Sequence, residues 1–291
     1  MDWESKFKKA LCSEDIGSAI NVLEQQSTSH AGTPPTVIKS RAVNLLRDSL
    51  PDSKLELWAE ELANNTSSTA KELACSLLVY YFPAQPHLVQ HLMIRLADDP
   101  NWEVRESAAQ TFGAILTNQF KTAYPLFEKL VIHKSSNVRR AIAVAVKYAA
   151  KKRNPEWGPQ LLNLIEPLLT DPTEYVRKNL GPFTLGDGLL RCYPKLTMAS
   201  IKKWAQSRDE VVRWNVAMCL STAEARKHLG EALLILGELA TDDRRFVWRA
   251  VASALKNHAR STPQQVLPVV RKWMSDPTRR PAAEVVCRYV T

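Results

Sequence analysis

The sequence of 291 residues is poor in the features that tight turns, disulfides, metal sites and membrane spans require. Nine glycines are few for a β-sheet protein with many tight turns. The five cysteines are scattered, odd in number and never in Cys-x-x-Cys spacing, so they predict neither a disulfide framework nor a zinc site. No run approaches the roughly 18 uncharged apolar residues of a transmembrane helix. We therefore expect an all-α protein of a reducing cytoplasm, with no membrane partner.

Signatures of the common enzyme and targeting classes are also missing. The first residues mix acids with lysines and contain no apolar run, so we expect no signal peptide there. There is no Gly-x-Gly-x-x-Gly run, Walker loop or serine nucleophile elbow. His87 and His91 share a helix face, but no glutamate or third ligand accompanies them. The sequence predicts no metal and no cofactor.

One short phrase recurs between residues 98 and 250. It consists of an acidic or polar turn followed by a hydrophobe-plus-Arg step that opens an amphipathic helix. Its arginines are 34, 38, 36 and 36 residues apart: Arg105, Arg139, Arg177, Arg213 and Arg249. This period corresponds to two helices and two turns, a unit that buries its apolar face only by stacking on neighbours. The pattern predicts a HEAT-like α-solenoid with a concave inner surface.

We expect one solenoid over residues 1–291. Residues 1–97 lack the phrase and are interpreted as degenerate or capping repeats, whereas residues 98–291 form the regular, basic part. Helix and turn alternate throughout, with separate helices expected at 173–181 and 188–194 on either side of a Gly- and Pro-containing turn.

The net charge of +9 is unevenly distributed. Residues 1–100 hold 9 basic and 13 acidic side chains, and residues 101–291 hold 30 basic and 17 acidic ones. A basic groove is the electrostatic footprint of a nucleic-acid-binding protein. The alternative is that these Lys and Arg side chains are solvated on outer helices.

The phrase offers two kinds of candidate residue. The first arginine of each phrase is expected to turn inward and bond the acids or carbonyls of the inter-repeat turns, because a buried cation needs a partner. The residue two places after each motif valine, called the row residue below, is expected to line the groove. These row residues are Glu106, Arg140, Lys178, Trp214 and Arg249. Basic side chains in such a row suit phosphates, and the indole suits a sugar or a nucleobase. The alternative is a row of mixed charges that are exposed to solvent.

Several of these residues resemble the AlkC and AlkD type DNA alkylation repair glycosylases, which are built on HEAT-like repeats. Trp102-Glu103-Val104-Arg105-Glu106 is similar to the Trp-Asp-x-Val-Asp motif of the AlkD type, and Arg140 matches an arginine that steadies DNA in that family. Residues 137–220 resemble the AlkC type more broadly. The resemblance covers about half of the chain.

The resemblance implies hydrolysis of an N-glycosidic bond. An N3- or N7-alkylpurine is cationic and leaves readily, so the enzyme holds the sugar near an indole and places a carboxylate by the developing oxocarbenium. Trp102 and Glu106, at i and i+4 on one helix face, are the candidates for this role. The alternative for this pair is packing plus a solvated acid.

Two departures from the family are visible. Where the AlkD type has a second aromatic residue, Phe183 stands one place late. Where the AlkC type has a functional aspartate, Asp187 matches only with a gap, and it is the second candidate carboxylate.

The sequence therefore predicts a monomeric protein that binds alkylated double-stranded DNA and is associated with the nucleoid, with Glu106, Trp102 and Asp187 as catalytic candidates. Arg140, Lys178, Trp214 and Arg249 are the candidates for contact with DNA. The alternative is a non-enzymatic adaptor whose groove holds DNA or a protein partner.

Overall fold

The computed structural model describes residues 2–28 and 32–290, in which every regular element is a helix, as predicted. The α-helices are α1 Trp3–Cys12, α2 Ile16–Glu24, α3 Thr36–Ser49, α4 Asp52–Asn64, α5 Ser68–Tyr81, α6 Pro86–Ala97, α7 Trp102–Asn118, α8 Phe120–Leu130, α9 Ser136–Ala150, α10 Trp157–Ile165, α11 Glu174–Asn179, α12 Pro194–Ala205, α13 Glu210–Cys219, α14 Leu229–Leu239, α15 Arg245–Ser261, α16 Pro263–Trp273 and α17 Arg280–Val290. The chain forms two compact units, Met1–Ala123 and Tyr124–Thr291.

In the first unit, α5 is the central helix. It packs against α4 and α7 and also contacts α2, α3 and α6. Its apolar side chains are almost fully buried, among them Leu73, Ala74, Leu77 and Leu78. Because α5 and α7 pack side by side, the side chains at their solvent-facing edge are brought next to one another.

The second unit has two layers of helices. The motif helices α9, α11, α13 and α15 and the later helix α17 pack side by side, and α10, α12, α14 and α16 cover them from one side. Small residues permit the close approach of the motif helices: a Cβ on Gly181 would lie 3.0 Å from Met218 Cβ, and one on Gly188 would lie 3.1 Å from Lys147 Cα. The opposite face of the motif layer therefore presents the row residues.

The repeats are joined by ion pairs between the cation of one phrase and the aspartate of the next turn. Arg139 Nε lies 2.5 Å from Asp171 Oδ2, and Arg213 Nε lies 2.7 Å from Asp242 Oδ2. In the first unit Lys71 Nζ lies 2.7 Å from Asp99 Oδ2. The three aspartates also hold their own turns, each accepting from the backbone N–H two residues later, on Asn101, Thr173 and Arg244.

The expected inward role of the motif arginines is confirmed. Arg105 donates to the carbonyls of Asp99 and Pro100, Arg139 to those of His133 and Lys134, and Arg213 to that of Ala205. Burial raises the pKa of Asp171, but hydrogen bonds from Arg139 and Thr173 outweigh it and hold that pKa below its ordinary value.

The expected separation of helices at 173–181 and 188–194 is wrong. A π-helical segment over Leu180–Leu190 continues α11 without a break. Pro182 has no amide hydrogen to give to the preceding turn, and the wider i→i+5 turns accommodate this defect. The hydroxyl of Thr184 contributes by donating to Asn179 O at 3.1 Å and to Ala143 O at 2.8 Å.

No helix among residues 2–28 and 32–290 is long and apolar enough to cross a membrane.

The ion pairs between successive repeats are called the ladder below. The Arg139–Asp171 pair provides a test of their role. Arg139→Ala leaves a carboxylate that is 97% buried without its cation, which costs about 3 kcal/mol and lowers the thermal midpoint by on the order of 10 °C for a unit of this size. Lys178→Ala is the control, because Lys178 and its partner Glu174 are both about two-thirds exposed and such pairs contribute about 0–1 kcal/mol. Equal losses in the two variants contradict the assignment.

His258 makes the stability of the second unit depend on pH. Burial lowers the pKa of His258 below 6.5, and the hydrogen bond to Leu220 O opposes this only in part. The unfolded chain thus binds a proton more readily, so this contribution to stability is complete above pH 6.5 and is lost as the pH falls from there through the lower pKa of the folded state.

His258→Gln retains a donor for Leu220 O and cannot titrate. We expect the thermal midpoint of the native protein to fall more than that of the variant between pH 7.5 and 5.5, a window set by the lowered pKa. Parallel pH profiles would show that His258 does not contribute.

Candidate functional site

Trp102 and Glu106 occupy the N-terminal turns of α7 in the first unit. Asn101 caps this helix by accepting from Glu103 N–H at 2.8 Å, which fixes the point at which α7 begins. The indole of Trp102 is 62% exposed, which is unusual for so large an apolar side chain. Both side chains line one cleft, so the structure brings the predicted pair together.

The cleft lies between α3, α5 and α7 and has a volume of about 540 Å³. Its charged side chains are three carboxylates and one ammonium: Glu72, Glu103, Glu106 and Lys39. Lys39 Nζ lies 2.7 Å from Glu72 Oε1, which also accepts from Ser107 Oγ at 3.0 Å. Glu103 is buried and accepts from Thr33 Oγ1 at 3.3 Å. The cleft is acidic and has an exposed indole at its edge.

The second unit carries Arg140, Lys178, Trp214 and Arg249 on its motif helices. Two of them, Arg140 and Trp214, contact the residue that precedes the motif valine of the next repeat. Arg140, which is 9% exposed, lies with its guanidinium carbon 5.3 Å from the ring centroid of Tyr175. Trp214 stacks on Phe246 with ring centroids 5.7 Å apart and an interplanar angle of 11°. The motif layer thus alternates cations with aromatic rings.

Arg177 bonds a turn carbonyl, as expected of a motif arginine, and also lies on this surface. Its guanidinium carbon lies 5.3 Å from the ring centroid of Phe246 and 5.9 Å from that of Trp214. Its Nη1 donates to Pro172 O, while Asp171 in the same turn is the partner of Arg139. A cation against two aromatic faces gains from the ring quadrupoles.

The remaining row residues are exposed. Lys178 is 67% exposed and pairs with Glu174 one turn earlier, and Arg249 is exposed on α15. In the fifth phrase Trp248, rather than an arginine, follows the motif valine, so Arg249 belongs to the row and not to the ladder. Both cations are available to a partner on this face.

Asp187 lies on the π-helical segment of the second unit. It is half-buried and pairs with Arg191 at 3.8 Å, one turn later. Phe183 on the same segment is exposed, and Lys147 Nζ lies 4.9 Å from its ring centroid. The structure thus places Asp187 beside a cation–aromatic pair, whereas Trp102 and Glu106 belong to the first unit.

The sequence interpretation missed Lys71 and Glu72. Lys71 precedes Arg105 by 34 residues, the period of the repeat, and Asp99 stands where its partner is needed. Glu72 is therefore the row residue of α5, with Ala70 in the place of the motif valine. The 34-residue spacing could have revealed this repeat. It was missed because Lys71 stands in the place of the motif arginine and Ala70 in the place of the motif valine.

The signal for Arg177 lies six residues before the next motif arginine. Counted from the motif valine, this position lies five residues earlier: Asp171 and Asp242 occupy it in the turns that receive Arg139 and Arg213, but the turn before α13 has Ser207. A serine offers no carboxylate, so Arg177 rests against the aromatic rings instead. No group of three or more His, Cys, Asp or Glu side chains suited to a metal occurs in the described part of the chain.

Comparison with known proteins identifies the repeat. Residues 89–181 match the model of HEAT repeats. Among curated proteins, 101 residues are 28% identical to the 26S proteasome non-ATPase regulatory subunit 1 of Caenorhabditis elegans. That stretch is 35% of this chain and only 10% of the relative.

Solved structures extend the comparison to the fold. AlkD2 from Streptococcus mutans is similar with a TM-score of 0.57 at 17% identity, over 72% of this chain and 97% of that one. The protein smu.31 from Streptococcus mutans UA159 gives 0.55 at 16% identity, over 69% and 98%. Kap121p gives 0.52 at 12% identity, over 98% of this chain and 33% of its own. The described part of the chain is therefore all-helical, as the sequence predicts; residues 89–181 match HEAT repeats, and the fold is similar to that of AlkD2.

Proposed function

We propose that this protein binds duplex DNA through the motif-helix face of its second unit and acts in the repair of alkylated DNA. The observation that carries the proposal is the alternation of cations and aromatic rings on that face: Arg140 with Tyr175, and Arg177 with Trp214 and Phe246. Residues 124–291 hold 28 basic and 15 acidic side chains, so the unit attracts a polyanion. DNA as the partner would place the protein at the nucleoid.

The row residues divide into two roles. Lys178 and Arg249 are exposed, so their charged groups reach phosphates while their stems stay on the helix. Arg140 is nearly buried against Tyr175, which fixes its guanidinium in one orientation. Its Nε and Nη1 are buried, so we assign Arg140 to the positive charge and aromatic support of this face rather than to a bidentate phosphate contact.

The proposed chemistry is release of a cationic N3- or N7-alkylpurine by hydrolysis of its glycosidic bond. Trp102 would pack against the deoxyribose or the base, and Glu106 would stabilise the positive charge that develops on the sugar while water attacks. The acidic cleft beside this pair favours cationic over neutral groups. Asp187, beside Lys147 and Phe183, is the second carboxylate to test.

A non-enzymatic adaptor is the second candidate function. It is favoured by the acidity of the cleft, because Glu72 and Glu103 together with Glu106 would repel the phosphates that flank a lesion. Base release from 7-methylguanine-containing duplex DNA separates the two functions, since an adaptor binds without releasing base.

The phosphate contacts are tested by salt dependence. Lys178→Ala and Arg249→Ala should each weaken binding to duplex DNA and flatten the plot of log K against log salt by about one unit, because each cation releases one counterion. Lys202→Ala is the control: Lys202 lies on α12 of the other layer and pairs with Glu231, and its loss changes the net charge equally. A similar loss of slope in all three variants would mean that only net charge matters.

The catalytic assignment is tested by Glu106→Gln. Without the carboxylate, base release in single-turnover assays should fall by ~100-fold, the usual loss for one well-placed electrostatic contact. Affinity for alkylated DNA should be unchanged or higher, because a negative charge facing phosphates has gone.

Glu60→Gln, an exposed acid on α4, is the matched control and should excise normally. If the parent protein releases no alkylbase, the adaptor function is favoured. If Glu106→Gln excises at the parent rate, Asp187→Asn is the next variant.

A further inference from the structure

The cleft of the first unit carries a net negative charge, and so does the unit as a whole. Residues 1–123 hold 11 basic and 15 acidic side chains, of which the cleft contains one ammonium and three carboxylates. Such a surface repels a phosphate backbone and attracts a cation. The first unit therefore differs in electrostatic character from the second, although both are built from the same repeat.

One carboxylate in the cleft lacks part of its hydrogen bonding. Glu72 lines the cleft and is only 4% exposed. Its Oε1 accepts from Lys39 and Ser107, but its Oε2 has no hydrogen-bond partner among the described residues. A buried acceptor without a donor costs about 1–3 kcal/mol, more when it is charged. This buried and only partly bonded negative charge strengthens the attraction of the cleft for a cation.

The walls of the cleft suit a planar cation. Arg47 already places its guanidinium carbon 3.9 Å from the ring centroid of Tyr80, which also lines the cleft. Trp102 offers a second, exposed ring, and indole is the best of the aromatic side chains for cation–π contact. Lys39, the cation now on Glu72, has a flexible stem that can move aside or share the carboxylate.

We propose that this cleft binds an arginine side chain presented by a protein partner. A guanidinium has five N–H donors in one plane, so its edge can bond the carboxylates of the cleft while its face lies on Trp102. An ammonium has the charge but not the flat face. An arginine and an alkylpurine would compete for Trp102, so this proposal rests on the adaptor function, the second candidate above, and requires no DNA.

The test is direct binding of the full-length protein to a labelled nine-residue peptide of glycine and serine with one central arginine. The matched control peptide has citrulline, which keeps the shape and loses the charge. We expect saturable binding of the arginine peptide and roughly tenfold or more weaker binding of the citrulline peptide, since hydrogen bonds between ions are about twice as strong as neutral ones.

Variants locate the site. Glu103→Gln and Trp102→Ala should each weaken binding of the arginine peptide severalfold, whereas Glu60→Gln, which removes an equal charge outside the cleft, should not. Trp102 is exposed, so its variant remains informative if Glu103→Gln lowers the thermal midpoint.

Three results would overturn the proposal: no saturable binding, equal affinity for the arginine and citrulline peptides, or equal weakening by Glu60→Gln and Glu103→Gln. Binding of 7-methylguanosine in place of the peptide would also overturn it and assign the cleft to a cationic nucleobase. None of these results depends on DNA binding by the second unit, so failure here is distinguishable from failure of the proposed function.

Discussion

The ion pair between the cation of one repeat and the aspartate of the next turn is the interaction on which both units depend. Each aspartate holds its own turn through a backbone N–H and the preceding repeat through a Lys or Arg. Because the acid is nearly buried, removing either partner leaves an uncompensated charge and strongly lowers the free energy of unfolding. The pair sets the register of adjacent motif helices and thereby decides which side chains come to lie side by side.

This register places the row residues of each unit on one face. Once the first residue after the motif valine is engaged in the ion pairs, the second takes no part in them: it is exposed at Lys178 and Arg249 and buried at Glu72 and Arg140. The first unit has Glu72 and Glu106 at this position, and the second has Arg140, Lys178, Trp214 and Arg249. One structural position thus serves two opposite chemistries, because the scaffold constrains the ladder residues and leaves the row residues free to vary.

The ladder also shapes the proposed DNA-binding face where it is interrupted. The turn before α13 has Ser207 where other turns have an aspartate, and Arg177 lies against Trp214 and Phe246. A motif cation thereby becomes part of the cation–aromatic surface. The roles of these residues in DNA binding and catalysis stay predictions, and they rest on different units.

Local sequence determined the helices and their period. Apolar spacing and capping residues such as Asn101, Ser135 and Asp209 act within a few positions, so they can be recognised without knowledge of the fold. The inward role of the motif arginines followed in the same way, because a buried cation requires a partner wherever it lies.

Only the tertiary structure decided which residues meet across repeats. Arg139 finds Asp171 32 positions away, and Glu72 lines a cleft with residues of α3 and α7. The continuity of the helix through Pro182 likewise depends on packing, because Thr184 bonds to Ala143 on α9. These contacts join segments far apart in the chain, and their geometry is fixed by how closely the helices pack, which no local pattern records.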